Sequence, residues 1–95
     1  MRIEWSPLAF EDRLAIFDYI ESDNPAAAVR VDDRIRQQIQ RLASSPELGR
    51  PGRVEGTREL ILGHTPYIAA YRIENQTVIV LRVLHGAQQW PEELE

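Results

Sequence analysis

The chain opens on a short alternation, Arg2-Ile3-Glu4-Trp5, whose two apolar residues share one side, and this predicts a strand. Ser6-Pro7 follows, an N-cap residue with proline at the first helical position. Phe10, Leu14, Phe17 and Ile20 or Glu21 then recur at steps of three and four, while Glu11, Asp12 and Asp18 turn elsewhere. That spacing predicts a helix over Leu8 to Glu21 with its apolar stripe toward the core. Asn24-Pro25 repeats the cap-plus-proline signal, and Ala28, Val31, Ile35, Ile39 (or Gln38) and Leu42 mark a second helix. Only a few residues separate the two, so an antiparallel helical hairpin is expected.

The stretch SSPELGRPGRVEG is dense in proline and glycine and reads as a loop, with Arg50 and Arg53 on its surface. Three strands fit the remainder, over Arg58 to Leu62, Tyr67 to Ile73 and Thr77 to Leu84, with a tight Glu74-Asn75-Gln76 connection between the last two. Strict alternation along the last strand puts Ile79, Leu81 and Val83 together, facing Phe10, Leu14, Val31 and Ile35 of the helices. Arg82 then falls on the other face with Val78 and Val80, and Arg72 is placed similarly on the paired strand. The element order β-α-α-β-β-β predicts one α+β domain over residues 1–95: a helical hairpin on one face of a small, largely antiparallel sheet. No helix remains to cover the other face, and an apolar face carrying arginine points to a partner.

Composition narrows the chemistry. The chain has no cysteine, so neither disulfides nor thiolate metal sites are available. Its start lacks an apolar leader and no run approaches the roughly 18 apolar residues of a membrane span, which predicts a cytoplasmic protein without membrane association. Net charge is −4, although all eleven basic residues are arginine. Proteins that grip nucleic acid by its backbone carry a clustered positive surplus. The acidic balance argues against that mode, and the absence of lysine removes Schiff-base chemistry.

The last strand runs into RVLHGAQQWP, which sets an imidazole, two amides and an indole after an aliphatic run. His85 can serve as an acid or base, or can cap the strand end with a ring hydrogen bond. Trp90 can fold the following residues back onto the domain or present itself to a partner. Tyr67 and Tyr71 share a strand face and read as packing residues whose hydroxyls reach the surface. Arg30, Arg34 and Arg41 recur on one side of the second helix as a solvated face, and His64 reads as a loop residue. Two histidines without clustered carboxylates predict neither a metal site nor a cofactor.

The spacing Arg58-x-Leu, then Tyr67-x-x-x-Tyr71-Arg72, then Leu-Arg82-Val-Leu-His85 resembles the ParE/RelE superfamily of toxins from bacterial type II toxin–antitoxin modules, as do SPELGRPG and the ending VIVLRVLHGAQQWP. The resemblance spans nearly the whole chain. It implies a cognate antitoxin, bound in a hetero-oligomer that meets DNA only through the antitoxin. It also implies one of two activities: poisoning of DNA gyrase by the ParE branch, or ribosome-dependent messenger cleavage by the RelE branch. RelE-like nucleases typically carry basic residues on the strand before the tyrosine pair and an arginine after the first tyrosine. Here those places hold Glu59, Leu60, Ile61 and Ile68, which cannot supply the acid, base or positive charge of phosphoryl transfer. The pattern therefore favours a plasmid-stabilisation toxin of the ParE type acting by binding. His85 and Arg82 are the catalytic candidates of the RelE alternative, and an inactive interaction module is the third reading. The candidate partner contacts are Arg58, Tyr71, Arg72, Arg82, His85, Gln88 and Trp90.

Overall fold

The computed structural model describes residues 1–95. Its elements in chain order are β1 (Arg2–Trp5), α1 (Pro7–Glu21), α2 (Pro25–Gln40) with a short 3-10 turn at Arg41–Ala43, β2 (Arg50–Pro51), β3 (Arg58–Ile61), β4 (Tyr67–Glu74) and β5 (Thr77–His85). Ser6 makes the first corner. Its N–H donates to the Val80 carbonyl at 2.9 Å, its Oγ donates to the Leu81 carbonyl at 2.9 Å, and the same Oγ accepts from the Ala9 N–H at 3.1 Å. One side chain thus caps α1 and ends the pairing of β1 with β5. Ser6→Ala should cost about 1–2 kcal/mol in thermal or urea unfolding, since a cap and a strand contact are lost together.

The strands form one sheet in the order β1-β5-β4-β3-β2, with β1 parallel to β5 and every other pair antiparallel. β2 lies inside the stretch expected to be loop; its two residues pair with Arg58 and Glu59. The β4–β5 hairpin turns on Asn75 and Gln76, at φ 50° and 58°. Two consecutive positive φ values are the mark of the two-residue turn that matches the natural twist of a hairpin. The helices cover one face of the sheet as a hairpin, and no helix is long and apolar enough to cross a membrane.

The register of β5 departs from strict alternation. Tyr71 pairs with Val80 whereas Ala70 pairs with Arg82, so Leu81 is an extra residue bulged out of the ladder. A bulge shifts the side-chain alternation by one on either side of itself. Val78, Val80 and Val83 consequently face the helices, packed with Ile35, Ile39, Leu42 and Tyr71. Ile79, Leu81 and Leu84 lie in a second, smaller cluster with Ala70. The expected grouping of Ile79, Leu81 and Val83 holds only for Val83, and the expected uncovered pair, Val78 and Val80, is the centre of the core.

The α1 stripe is also corrected. Phe10 and Leu14 are 52% and 50% exposed, and the helix sets Ala9 and Ile16 against the sheet instead. Ala9 has no side chain beyond Cβ, so the helix backbone approaches the strands closely there. The α2 positions Ala28, Ile35 and Ile39 are buried as their spacing predicts.

Candidate partner-binding site

Asp12 and Arg82 define the edge of β5 beyond the point where β1 leaves it. Arg82 donates from Nε and Nη2 to the two Asp12 carboxylate oxygens at 2.7 and 2.9 Å, and the Val83 N–H donates to the same carboxylate at 3.0 Å. Asp12 therefore takes the place of a missing neighbour strand. The bidentate bond from Asp12 raises the Arg82 pKa further above its ordinary value, against the opposing effect of burial. Arg82 is not a free guanidinium on an open face; it bolts α1 to the sheet. A second fork, Arg13 on Asp32 at 2.6 and 2.9 Å, joins α1 to α2, and the Arg13 guanidinium also lies over the Trp5 ring.

Glu59 is the buried charge of the molecule, 3% exposed. Its carboxylate accepts from the Arg53 N–H at 2.8 Å, from Arg53 Nε and Nη2 at 3.0 and 3.1 Å, and from Arg50 Nη2 at 3.1 Å. Burial pushes its pKa up, but the hydrogen bonds from Arg53 and Arg50 outweigh that and hold it below the ordinary value. The loop arginines expected at the surface are thus half-exposed clamps on a strand carboxylate. Tyr71 serves the same loop. Fully buried, it donates its hydroxyl to the Pro46 carbonyl at 2.7 Å and accepts from the Gly49 N–H at 2.9 Å. A side chain at Gly49 would collide with the Tyr71 ring. Arg58 donates to the Gly49 carbonyl at 2.8 Å. Tyr71→Phe should cost about 1–3 kcal/mol, because the Gly49 N–H and the Pro46 carbonyl both lose a partner; chemical denaturation would measure it.

The end of β5 is closed by its own side chains. The His85 N–H donates to Gln88 Oε1 at 2.9 Å, and the Ala87 N–H donates to His85 Nδ1 at 3.0 Å. Trp90 Nε1 donates to the His85 carbonyl at 3.3 Å. His85 sits edge-on to Tyr67 with ring centroids 5.7 Å apart. His85 Nδ1 is thus the acceptor that closes the turn. The imidazole, amide and indole of this stretch are therefore strand-end caps.

Beyond the turn, the Trp90 ring lies 3.6 Å under the Arg53 guanidinium. This links Glu59, Arg53 and Trp90 into one stack. Leu94 then inserts into the open face of the sheet with Ala70, Leu81 and Leu84, and Glu95 forms an ion pair with Arg72. Arg72 also donates to Glu74 at 2.8 Å. Of the expected contacts, Arg72 is the one that stands on the open face with its charge at a groove. His85, Gln88 and Trp90 come together at the strand end. Arg58, Tyr71 and Arg82 are tied into the fold elsewhere.

A second apolar surface lies on the outer side of α1, where Phe10, Leu14 and Phe17 surround the Arg13–Asp32 pair. The helical spacing identified these residues, but periodicity alone does not say which of two apolar faces meets the core. Arg30, Arg34 and Arg41 are exposed without ion-pair partners, and no group of three His, Asp or Glu converges on a common point. Leu94 and the Arg53–Trp90 stack were not legible, since nothing local in PEELE distinguishes a docked leucine from a solvated one.

The family model described as ParE toxin of type II toxin-antitoxin system, parDE, matches residues 3–90. The chain is 47% identical over 93 residues to a putative toxin, Y4kP, of Sinorhizobium fredii, covering 98% of this chain and 96% of that one. It is 33% identical over 87 residues to the toxin RelE2 of Caulobacter vibrioides, covering 92% and 97%. Among solved structures it is similar to a chromosomal ParDE toxin–antitoxin system from P. aeruginosa, at TM-score 0.82 and 28% identity over 90% of this chain and 95% of that one. The RelBE2 toxin–antitoxin complex of Mycobacterium tuberculosis is more distant, at TM-score 0.58 and 25% identity over 88% and 95%. The arrangement of an N-terminal strand, a helical hairpin and a sheet of further strands is the fold of these toxins, and the chain belongs to the ParE toxin family within the ParE/RelE superfamily.

Proposed function

We propose that this chain is a cytoplasmic toxin that inhibits DNA gyrase by binding it, and that a cognate antitoxin silences it in a hetero-oligomer. The observation that carries the reading is Glu59. Messenger cleavage needs a base near the 2′-hydroxyl, an acid near the leaving oxygen and positive charge at the phosphate. At Glu59 on β3, where the RelE branch keeps basic side chains, this chain buries a carboxylate held by Arg50 and Arg53, while Arg58 on the same strand is tied to the Gly49 carbonyl. Arg82 is committed to Asp12, and His85 has one ring nitrogen committed to the Ala87 N–H. One imidazole nitrogen without a free guanidinium beside it supports no in-line displacement.

Binding surfaces, by contrast, are present on two sides. The open sheet face sets Ile79 and Arg72 beside the docked Leu94, and the outer side of α1 exposes Phe10 and Leu14. Contiguous apolar surface with charge at its rim suits a protein partner.

Purified chain should inhibit gyrase supercoiling and accumulate broken DNA in a gyrase-dependent manner, with addition of the cognate antitoxin restoring supercoiling. Ribosomes programmed with messenger should show no cleavage. Cutting of messenger on ribosomes, with gyrase unaffected, would overturn the proposal; loss of that cutting on His85→Ala would then assign the chemistry to the imidazole.

A further inference from the structure

The open sheet face is already occupied, and by this chain itself. Leu94 is 4% exposed, buried on Ala70, Leu81 and Leu84, although four of the five residues from Pro91 to Glu95 are exposed. The next residue, Glu95, places its carboxylate on Arg72. The contact is thus a two-point ligand: one aliphatic side chain in an apolar depression, followed directly by a carboxylate on a guanidinium. Either point alone would be commonplace. Together they fix orientation along the face.

The docked segment fills only the middle of its groove. On one side of Arg72 and Glu95 a cavity of about 430 Å³ runs between Val54 and Thr57 and the docked residues. On the other side a cavity of about 510 Å³ continues past Ile79 and Leu81 to Trp5 and Leu8. Both share Leu81, Arg72 and Glu95. A longer peptide carrying the same leucine and carboxylate would keep both anchor points and add the apolar walls that Leu94 does not reach.

We infer that the segment Pro91–Glu95 is an internal competitor for the partner's site: the antitoxin binds the open face through a segment with a leucine followed by a carboxylate, and must displace Leu94 and Glu95 to do so. The inference rests on the antitoxin reading above and names the chemistry of its contact. The partner brings one carboxylate because Arg72 is the groove's single cation and takes Glu95 now, while Glu4 and Glu55 line the rest of the groove and disfavour further negative charge. It is aliphatic because the depression between Ala70, Leu81 and Leu84 takes one branched side chain. The Arg53–Trp90 stack sets the segment's path, so docking is intramolecular and needs little affinity to persist. A site open for only a fraction of the time weakens an incoming ligand by that fraction.

The test uses the full chain and its Leu94→Asp variant, with a synthetic peptide of sequence QWPEELE as the probe, followed by NMR titration. The peptide should bind the variant about tenfold more tightly than the unaltered chain, for a docked-to-open ratio of about ten. Its shifts should centre on Ala70, Arg72 and Leu81, and Arg72→Glu in the variant should abolish them. Equal binding to both chains, or shifts elsewhere, overturns the internal ligand. Should Leu94→Asp fail to fold, Glu95→Lys breaks the second point alone and should give the same sign with a smaller ratio. A variant that dimerises with concentration and ignores the peptide assigns the face to a second copy and overturns the inference. Cognate antitoxin should likewise bind Leu94→Asp about tenfold more tightly than the unaltered chain. Unchanged antitoxin affinity overturns its use of this face while leaving the toxin–antitoxin reading intact; binding to neither chain overturns both.

Discussion

Arg82→Glu should lower the unfolding free energy by about 3–5 kcal/mol, the range for breaking a largely buried ion pair by removing one partner. For a chain of this size that is a fall in melting temperature of roughly 15 °C or more. The side chains of Arg82 and Asp12 are only 21% and 16% exposed, so neither charge is well hydrated when left alone. The reversal is worse than a deletion, because it sets a second carboxylate against Asp12. It also disturbs the acceptor of the Val83 N–H, and that group lies on a strand edge with no neighbouring strand to take it. Arg72→Glu is the internal comparison. Arg72 and its partners Glu74 and Glu95 are more exposed, and surface pairs of that kind contribute about 0–1 kcal/mol. Thermal denaturation of the two variants side by side decides the matter. If Arg82→Glu melts as Arg72→Glu does, the Asp12–Arg82 fork does not hold α1 to the sheet.

The same pair of arginines shows where reading the sequence succeeded and where it could not. Caps and punctuation were legible because each acts within a few residues: Ser6-Pro7 and Asn24-Pro25 start both helices, and Asn75-Gln76 closes the hairpin. The element order and the family resemblance followed from these and from the strand spacing. Face assignment failed on β5 because one bulged residue, Leu81, reverses the parity of everything before it relative to Val83. Nothing in TVIVLRVL marks that position, since Leu81 sits among aliphatic neighbours with no glycine or proline to signal a bulge. The consequence ran through to the site. Placed with Val78 and Val80, Arg82 looked like a contact on an uncovered face, whereas its partner Asp12 lies seventy positions earlier in the chain.

On α1 the ambiguity was of another kind. The helix carries apolar residues on more than one side, so the larger side chains Phe10 and Leu14 appeared to be the buried ones. The sheet instead takes Ala9 and Ile16, and the larger residues are left as surface. Long-range polar pairing was equally invisible. Arg50 and Arg53 sit in a stretch with every local mark of a solvated loop, and only the fold reveals the carboxylate on β3 that holds them.

Glu59→Gln should cost about 2–4 kcal/mol at neutral pH and should remove an acid-sensitive part of the protein's stability. The amide keeps the volume but loses the charge that four donor contacts from Arg53 and Arg50 are arranged to meet. The cost stays below that of a fully buried pair, because both arginine side chains are about half exposed and rehydrate when released. The pH dependence follows from the depressed pKa of Glu59 in the folded chain. Its ordinary value is near 4.5, and the folded value lies lower. Above 4.5 both states are ionised and the stabilisation is complete. As pH falls below 4.5 the unfolded chain takes up the proton first, so stability drops until the folded carboxyl is protonated as well. Urea unfolding of the two proteins should therefore show a wide gap at pH 7 that narrows steadily below about pH 4.5. The glutamine variant should carry a correspondingly shallower acid limb, with other carboxylates contributing equally to both. A gap of constant size down to pH 3 would mean that shape alone, and not the charge of Glu59, holds the loop to β3.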